Sequence, residues 1–341
     1  MKPENSEQSR VKLDFVVAQK KVASQTFSIE KDKVESSFFS WIICFILILI
    51  SCGLVFTYLY INREKANIKE SVDVTTLFTS STFTYNSVSE KISTFKVISA
   101  KYTVPTISKA VGIYELNSGK AIFEQSADQK LSFASITKLL TVSTMESLYS
   151  DKEIFTMDPI AANVTGSLAG LTVGEKYSFT DALYGMMLPS GNDIAYSVAS
   201  HDSYENFILA MQKIVSALNL PGTSISNPIG YDDPDHHFSS IRDIFTMSRL
   251  YLSRDLNREV AKAPEYNLKT SDGKTYNIVN TNELLIRNEV FGLKTGTTDL
   301  AGQCLVLYIK IQDREYVAVI LGSQNRFKEG DNIVNWLKSY G

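Results

Sequence analysis

Ser135 and Lys138 form the first group of residues in this sequence that could carry out covalent chemistry. A serine hydroxyl is a poor nucleophile until a base takes its proton. A lysine can be that base only when it is neutral, and burial or a second nearby cation favours this by lowering its pKa. The pair lies at the start of a predicted helix, so both side chains share one face and the helix N-terminus offers N–H groups to an oxyanion. Alone, the spacing is weak evidence, because capping serines and solvated lysines are common.

Two further groups of residues that could take part in such chemistry lie downstream. The segment 190–192, Ser-Gly-Asn, follows an apolar helix end, and the segment 294–296, Lys-Thr-Gly, lies in a strand-like apolar context. Each alone could be an ordinary turn or an edge-strand lysine. An ordered set of S-x-x-K, S-x-N and K-T-G elements is typical of class A β-lactamases and penicillin-binding proteins.

Beyond these short elements, the chain from about Val111 to Leu321 resembles the low-molecular-mass D-alanyl-D-alanine carboxypeptidases, a family of penicillin-binding serine peptidases. The flanks of the second motif, a loop after the helical region and the approach to the third motif all read like family segments. These segments are 184–193, 227–237, 280–285 and 292–296.

The resemblance implies an α+β fold of the β-lactamase/transpeptidase type, an antiparallel sheet flanked by helices with an inserted all-helical subdomain. The residue pattern agrees, since strand-like segments lie at both ends of the domain and helical periodicity lies between them. We place the peptidase domain at 108–341 and the helical insertion at about 151–274. The strand-like segments are 111–114, 121–123, 291–294, 304–309 and 316–321, and a short helix is predicted for 332–340.

The resemblance also implies roles for eight residues, with Ser135 as nucleophile, Lys138 as base and Ser190 as proton relay. The family's oxyanion hole would use the backbone N–H groups of Ser135 and Thr297. The expected substrate is a peptidoglycan stem peptide ending in D-alanyl-D-alanine, with β-lactam antibiotics as covalent inhibitors. The expected substrate-binding residues are Asn192, Lys294, Thr295, Gly296 and Thr297.

Some features depart from the family pattern or leave alternatives open. Thr281 stands where some members have arginine, so a contact to the substrate carboxylate is missing or supplied elsewhere. A DD-endopeptidase that cuts crosslinks would use the same residues. A β-lactamase is disfavoured because no E-x-x-L-N pattern lies between Asn192 and Lys294, and a catalytically idle wall-binding module would not require Ser135 and both lysines.

The N-terminal third predicts attachment to a membrane. Residues 38–61 are apolar and carry no charge, and this run is long enough for a transmembrane helix. A polar tail (1–37) precedes this run and a Ser/Thr-rich spacer (62–107) follows it. A cleaved signal peptide and lipidation of Cys52 are the rival interpretations. The flanking charges do not fix the orientation, but the expected substrate places the domain outside a bacterial cell and the N-terminus in the cytoplasm. The chain also ends without the family's frequent C-terminal β-domain and tail helix, so the N-terminal helix would be the anchor.

Composition excludes several other classes of function. The net charge of −3 offers no basic surface for nucleic acid. The three cysteines show neither a disulfide framework nor a zinc spacing. Carboxylates and imidazoles cluster in the segment 232–237, but adjacent residues rarely all face one ion, so we predict no metal site and no cofactor.

Overall fold

The computed structural model describes residues 104 and 106–340. The strands are β1 Ala110–Glu115, β2 Ala121–Gln125, β3 Ile154–Thr156, β4 Lys176–Ser178, β5 Glu265–Lys269, β6 Thr275–Val279, β7 Val290–Thr298, β8 Gly302–Ile311 and β9 Arg314–Ser323. The helices are α1 Lys138–Leu148, α2 Phe179–Met187, α3 Asn192–Ala199, α4 Tyr204–Ala217, α5 Ile241–Tyr251, α6 Asp255–Lys262 and α7 Arg326–Tyr340. Short 3-10 turns lie at Ala134–Thr137, Ala161–Asn163 and Glu283–Ile286.

Five strands from the two ends of the domain form one antiparallel sheet, in the order β2-β1-β9-β8-β7. Successive residues of β8 point to opposite faces, as the period of a strand requires. Leu305 and Leu307 join a core that includes α7, whereas Cys304 and Val306 join the larger core shared with α1 and α5. The sheet is therefore covered on both faces, and β7 lies at its edge.

The α+β class, the antiparallel sheet and its strand segments are confirmed. The predicted strand 291–294 lies within β7, and the segments 304–309 and 316–321 lie within β8 and β9. The last helix begins at Arg326 rather than at 332, because its first turns contain polar residues and a glycine that hide the apolar period.

The prediction of an all-helical insertion is wrong in one respect. The segment 151–274 also contains β3 and β4, which pair with each other, and β5, which pairs with β6. Each of these short strands has one fully buried side chain: Phe155, Tyr177, Leu268 and Ile278. The strands β3 and β4 have only three residues each, which is too short to show alternation. The strands β5 and β6 do alternate, with Tyr266 and Leu268 and then Tyr276 and Ile278 as the more buried residues, and this signal was missed.

The domain begins slightly before the predicted border at residue 108. Val104 is buried in the core beside α7, and both Thr106 Oγ1 and the Ile107 N–H donate hydrogen bonds to Glu329. The predicted tail 1–37, the predicted transmembrane helix 38–61 and most of the predicted spacer 62–107 lie outside the described residues. Within the part that the structure describes, no helix combines the length and the apolar character needed to cross a bilayer.

Candidate active site

Ser135 lies in the 3-10 turn that precedes α1, not in the α-helix itself. Ala134 adopts a left-handed backbone conformation with φ of 50°, which is uncommon for a residue with a side chain. Residue 230 packs directly against this turn, since a Cβ at Gly230 would lie 2.0 Å from the Ala134 carbonyl oxygen. The Ser135 hydroxyl lies 3.4 Å from the carbonyl oxygen of Ile229. The catalytic turn is thus held from outside by the backbone of a distant loop.

Lys138 is the first residue of α1, and its side chain is completely buried. Its Nζ lies 3.0 Å from Ser135 Oγ, 2.7 Å from Asn192 Oδ1 and 2.9 Å from the Ile229 carbonyl oxygen. Burial lowers the pKa of Lys138 to about 7, although the carboxylate of Asp193 opposes the shift. When the amine is neutral, its two hydrogens satisfy Asn192 and Ile229, so the lone pair faces Ser135. This is the geometry that a base for the serine requires.

Ser190 lies in the turn between α2 and α3, and Asn192 is the first residue of α3. Ser190 is buried in a left-handed conformation with φ of 63°, a strain that is common at functional sites. Its hydroxyl makes no hydrogen bond within the described residues, so it is available to a substrate. Asn192 accepts from Lys138 through Oδ1 and donates through Nδ2 to the Thr165 carbonyl at 2.7 Å. One hydrogen of that amide remains for a substrate carbonyl.

The third motif runs along β7, the edge strand that passes beside Ser135. A Cβ at Gly296 would lie 2.9 Å from the Ser135 backbone nitrogen, so the close approach of the strand to the catalytic turn requires glycine. Lys294 is buried, with Nζ 3.1 Å from the Thr295 carbonyl oxygen. Burial holds the pKa of Lys294 well below its ordinary value, and the positive charges of Lys138 and Arg326 add to this effect.

Two threonine hydroxyls of β7 contact residues that the sequence did not predict to bind substrate. Thr295 Oγ1 lies 2.6 Å from Thr281 Oγ1, and the Thr281 N–H donates to the carbonyl of Leu188 at 3.0 Å. Thr281 therefore connects the second and third motifs. Thr297 Oγ1 accepts a hydrogen bond of 2.7 Å from Arg326, whose guanidinium also donates to the Gly296 carbonyl.

All eight residues predicted from the sequence lie in this one region, although β7 and the 3-10 turn come from distant parts of the chain. Three contributors were missed. The carbonyls of Ile229 and Thr165 are backbone groups, and residue identity gives no sign of them. Arg326 follows the last strand at the start of a polar helical turn, where an arginine is usually solvated. The available signal was Thr281 itself, because a threonine in place of arginine leaves the substrate carboxylate in need of another cation.

The acidic and histidine-rich segment 232–237 serves a structural purpose in this arrangement. Asp232 accepts hydrogen bonds from Thr298 Oγ1 at 2.6 Å and from the Leu300 N–H at 3.0 Å. His237 is buried, with Nε2 2.8 Å from Thr137 Oγ1, and burial lowers its pKa to about 4. These side chains support the two ends of the site.

Comparisons with known proteins extend the geometric argument. The peptidase S11 family, described as D-alanyl-D-alanine carboxypeptidase, matches residues 98–325. The D-alanyl-D-alanine carboxypeptidase DacF of Bacillus subtilis is 29% identical over 224 residues, which cover 63% of this chain and 57% of that protein. The D-alanyl-D-alanine carboxypeptidase DacC of Escherichia coli is 32% identical over 240 residues, which cover 64% of this chain and 58% of that protein. The chain thus spans less than two thirds of the length of these two relatives.

The fold is also similar to a solved structure. The crystal structure of the Streptomyces K15 DD-transpeptidase superposes with a TM-score of 0.65 at 25% identity, covering 69% of this chain and 98% of that one. Matching relatives also include proteins named D-alanyl-D-alanine endopeptidase. The family match covers most of the chain, and it includes all three motifs that converge around Ser135. The chain therefore belongs to the D-alanyl-D-alanine carboxypeptidase family of serine peptidases, peptidase family S11.

Proposed function

We propose that this protein is a serine-type D-alanyl-D-alanine carboxypeptidase that removes the terminal D-alanine from peptidoglycan stem peptides. The observation that carries the proposal is the contact between Ser135 Oγ and the buried Nζ of Lys138, at 3.0 Å. A lysine whose pKa is lowered to about 7 is partly neutral at neutral pH, so it can accept the serine proton. The names of the carboxypeptidase relatives support the same reaction.

In the proposed acylation, Ser135 Oγ attacks the carbonyl carbon between the two D-alanines while its proton passes to Lys138. The tetrahedral oxyanion lies against the backbone N–H groups of Ser135 and Thr297. The C–N bond then breaks, and a proton passes from Lys138 through the Ser190 hydroxyl to the departing amine. Water later hydrolyses the ester and releases the shortened peptide. A preorganised oxyanion donor contributes about 3–4 kcal/mol in comparable acyl transfers.

The substrate carboxylate would bind at the third motif. A bound carboxylate would raise the lowered pKa of Lys294 and so favour its charged form, and the hydroxyls of Thr295 and Thr297 would donate hydrogen bonds. Because the Thr297 oxygen already accepts from Arg326, its own hydrogen is free for the carboxylate. Arg326 thus provides a cation near a site where Thr281 replaces the arginine of some family members.

Labelling with a fluorescent penicillin tests the proposal, because a β-lactam acylates the same serine that attacks the peptide. We expect one covalent adduct on the full chain and none on Ser135→Ala. The matched control is Ser143→Ala, which removes a buried hydroxyl of α1 that donates to the Leu139 carbonyl, and it should label normally. An adduct that survives in Ser135→Ala would contradict the mechanism.

A DD-endopeptidase activity is the second candidate. It is favoured by the neutral Thr281, which bonds to Thr295 where a cation could otherwise hold a free carboxylate, and by relatives named endopeptidase. Product analysis separates the two activities. A carboxypeptidase releases D-alanine from a pentapeptide faster than it cuts a crosslinked dimer, and an endopeptidase shows the reverse order.

We further propose that residues 38–61 anchor the protein in the bacterial cell membrane as a single span, with the N-terminus in the cytoplasm and the catalytic domain outside. The support is the length of this uncharged apolar run and the location of the proposed substrate. An impermeant protease added to intact spheroplasts should remove the penicillin-labelled domain. Protection of the domain until the membrane is permeabilised would contradict this topology.

A further inference from the structure

The side chain of Tyr231 connects two loops beside the proposed active site. Its hydroxyl donates to the Thr165 carbonyl at 2.8 Å, accepts from the Thr165 N–H at 3.0 Å, and lies 2.9 Å from Thr165 Oγ1. The two segments are the Thr165 loop (residues 164–170) and the Asn227 turn (residues 227–231). Tyr231 takes no part in the proposed acylation, and its ring is partly exposed.

The Asn227 turn is a rigid support. Asn227 Oδ1 accepts the backbone N–H groups of residues 229, 230 and 231 at 3.3, 2.7 and 2.9 Å, which fixes the turn internally. The turn also packs against the catalytic serine turn through Gly230, and its Ile229 carbonyl accepts from Lys138. The Tyr231 hydroxyl is therefore held in a frame that is fixed relative to the nucleophile and its base.

Helix α3 fixes the far end of the Thr165 loop. Asp193 accepts the N–H groups of Ala169 and Gly170 at 2.9 and 2.8 Å, and the Asn192 N–H donates to Ser167 at 2.7 Å. At its near end, the loop contacts the Asn192 side chain through the Thr165 carbonyl. That carbonyl is the shared acceptor of Asn192 Nδ2 and the Tyr231 hydroxyl.

These contacts form a closed ring of hydrogen bonds. Lys138 donates to Asn192, Asn192 donates to Thr165, Tyr231 donates to Thr165, and the turn that carries Tyr231 accepts from Lys138 through Ile229. We propose that Tyr231 is a positioning residue that fixes the Asn192 amide, through Thr165, in the orientation that binds the substrate carbonyl and orients the base. This proposal rests on the proposed function, in which Asn192 contacts the acyl donor.

The test is Tyr231→Phe in the full chain, measured as the second-order rate constant of acylation by a fluorescent penicillin. Because the substitution removes one hydroxyl and keeps the ring, we expect acylation to slow about five- to tenfold. The thermal midpoint should stay within about 3 °C of the wild-type value. The matched control is Tyr276→Phe, which also removes one tyrosine hydroxyl. That hydroxyl donates to the Glu175 carboxylate, so the variant should be acylated at the wild-type rate.

A double-mutant cycle shows whether Tyr231 acts through Asn192. Asn192→Ala should slow acylation strongly, and adding Tyr231→Phe to it should produce no further loss. Asn192→Ser replaces the alanine variant if that variant does not fold. An unchanged rate in Tyr231→Phe, an equal loss in Tyr276→Phe, or additive losses in the double mutant would each overturn the proposal. These outcomes differ from failure of the proposed function, in which the wild-type chain forms no adduct or Ser135→Ala still forms one.

Discussion

Helix α1 buries an ionisable side chain near each of its ends, Lys138 at the N-terminus and Glu146 near the C-terminus. Burial moves both pKa values to about 7, downward for the lysine and upward for the glutamate. Lys138 contacts neutral oxygens and the hydroxyl of Ser135. Glu146 lies 2.9 Å from Arg254 Nη1, and this cation opposes the rise in pKa without reversing it.

The comparison shows that a shifted pKa does not identify a catalytic group. The pKa of Glu146 lies in the range useful for acid-base chemistry, yet its partner is structural: the guanidinium of Arg254, which also pairs with Asp151. Lys138 differs because a nucleophile lies within hydrogen-bond distance and because its other hydrogens have defined acceptors. What distinguishes the two ends is therefore geometry, since burial is the main cause of the pKa shift at both.

The largest expected effect comes from removing the base at the N-terminal end. Lys138→Gln keeps a side chain of similar length that cannot take the serine proton, and we expect penicillin acylation to slow about 10²- to 10⁴-fold. The control is Glu146→Gln, which removes the ionisable group at the other end and should leave the rate unchanged. Similar losses in both variants would show that α1 only needs its buried charges for folding.

A smaller effect should follow from pH. Lys138 must be neutral to act, so acylation should fall about tenfold for each pH unit below its pKa of about 7 and level off above it. Rate constants measured from pH 5 to 9 test this, and Glu146→Gln should show the same midpoint. A midpoint that moves in Glu146→Gln would mean that the charge of Glu146 affects the pKa of Lys138.

The smallest effect on the reaction, but a measurable one on stability, is expected at Glu146. Its pKa is raised from 4.5 to about 7, so the folded state binds more protons than the unfolded state between these values. Stability should therefore fall as pH rises through this window, by at most about 3 kcal/mol. Denaturant unfolding of wild type and Glu146→Gln at pH 5 and 8 measures it. The variant should lose this part of the pH dependence, and an identical dependence in both would assign it to other groups.

The sequence predicted the site well where chemistry depends on side chains in short motifs. Ser135 and Lys138 are one helical turn apart, and Gly296 is recognisable because a motif places it where a strand passes close to other backbone. It predicted poorly where the contacts are made by backbone or across long distances. The Ile229 carbonyl depends on the loop conformation that Asn227 imposes, and no residue identity encodes the pairing of Tyr231 with Thr165.

The same limit applied to the fold. Long strands such as β8 and β9 contain continuous apolar runs that are clear from the sequence, and they were predicted. The hairpin β3–β4 was missed because three-residue strands are too short to show a period. The hairpin β5–β6 was missed although Tyr266 and Leu268 alternate with exposed polar residues, because the segment lies next to a long helical region.

The carboxylate of Glu329 is the first side-chain group of α7 that would resist a pulling force on the chain that enters the domain. It accepts from Thr106, Ile107, Ser108 and Ser323, which ties the entering chain to α7 and to the end of β9 immediately before β1 begins. A pull on the N-terminal segment would reach this carboxylate before it reached β1. It would then load β1 along its length, where β2 and β9 flank it and their hydrogen bonds must shear together. The first turn of α7 also carries Arg326, which donates to Gly296 and Thr297 of β7, so tension on Glu329 is transmitted to the helix that contacts the third motif.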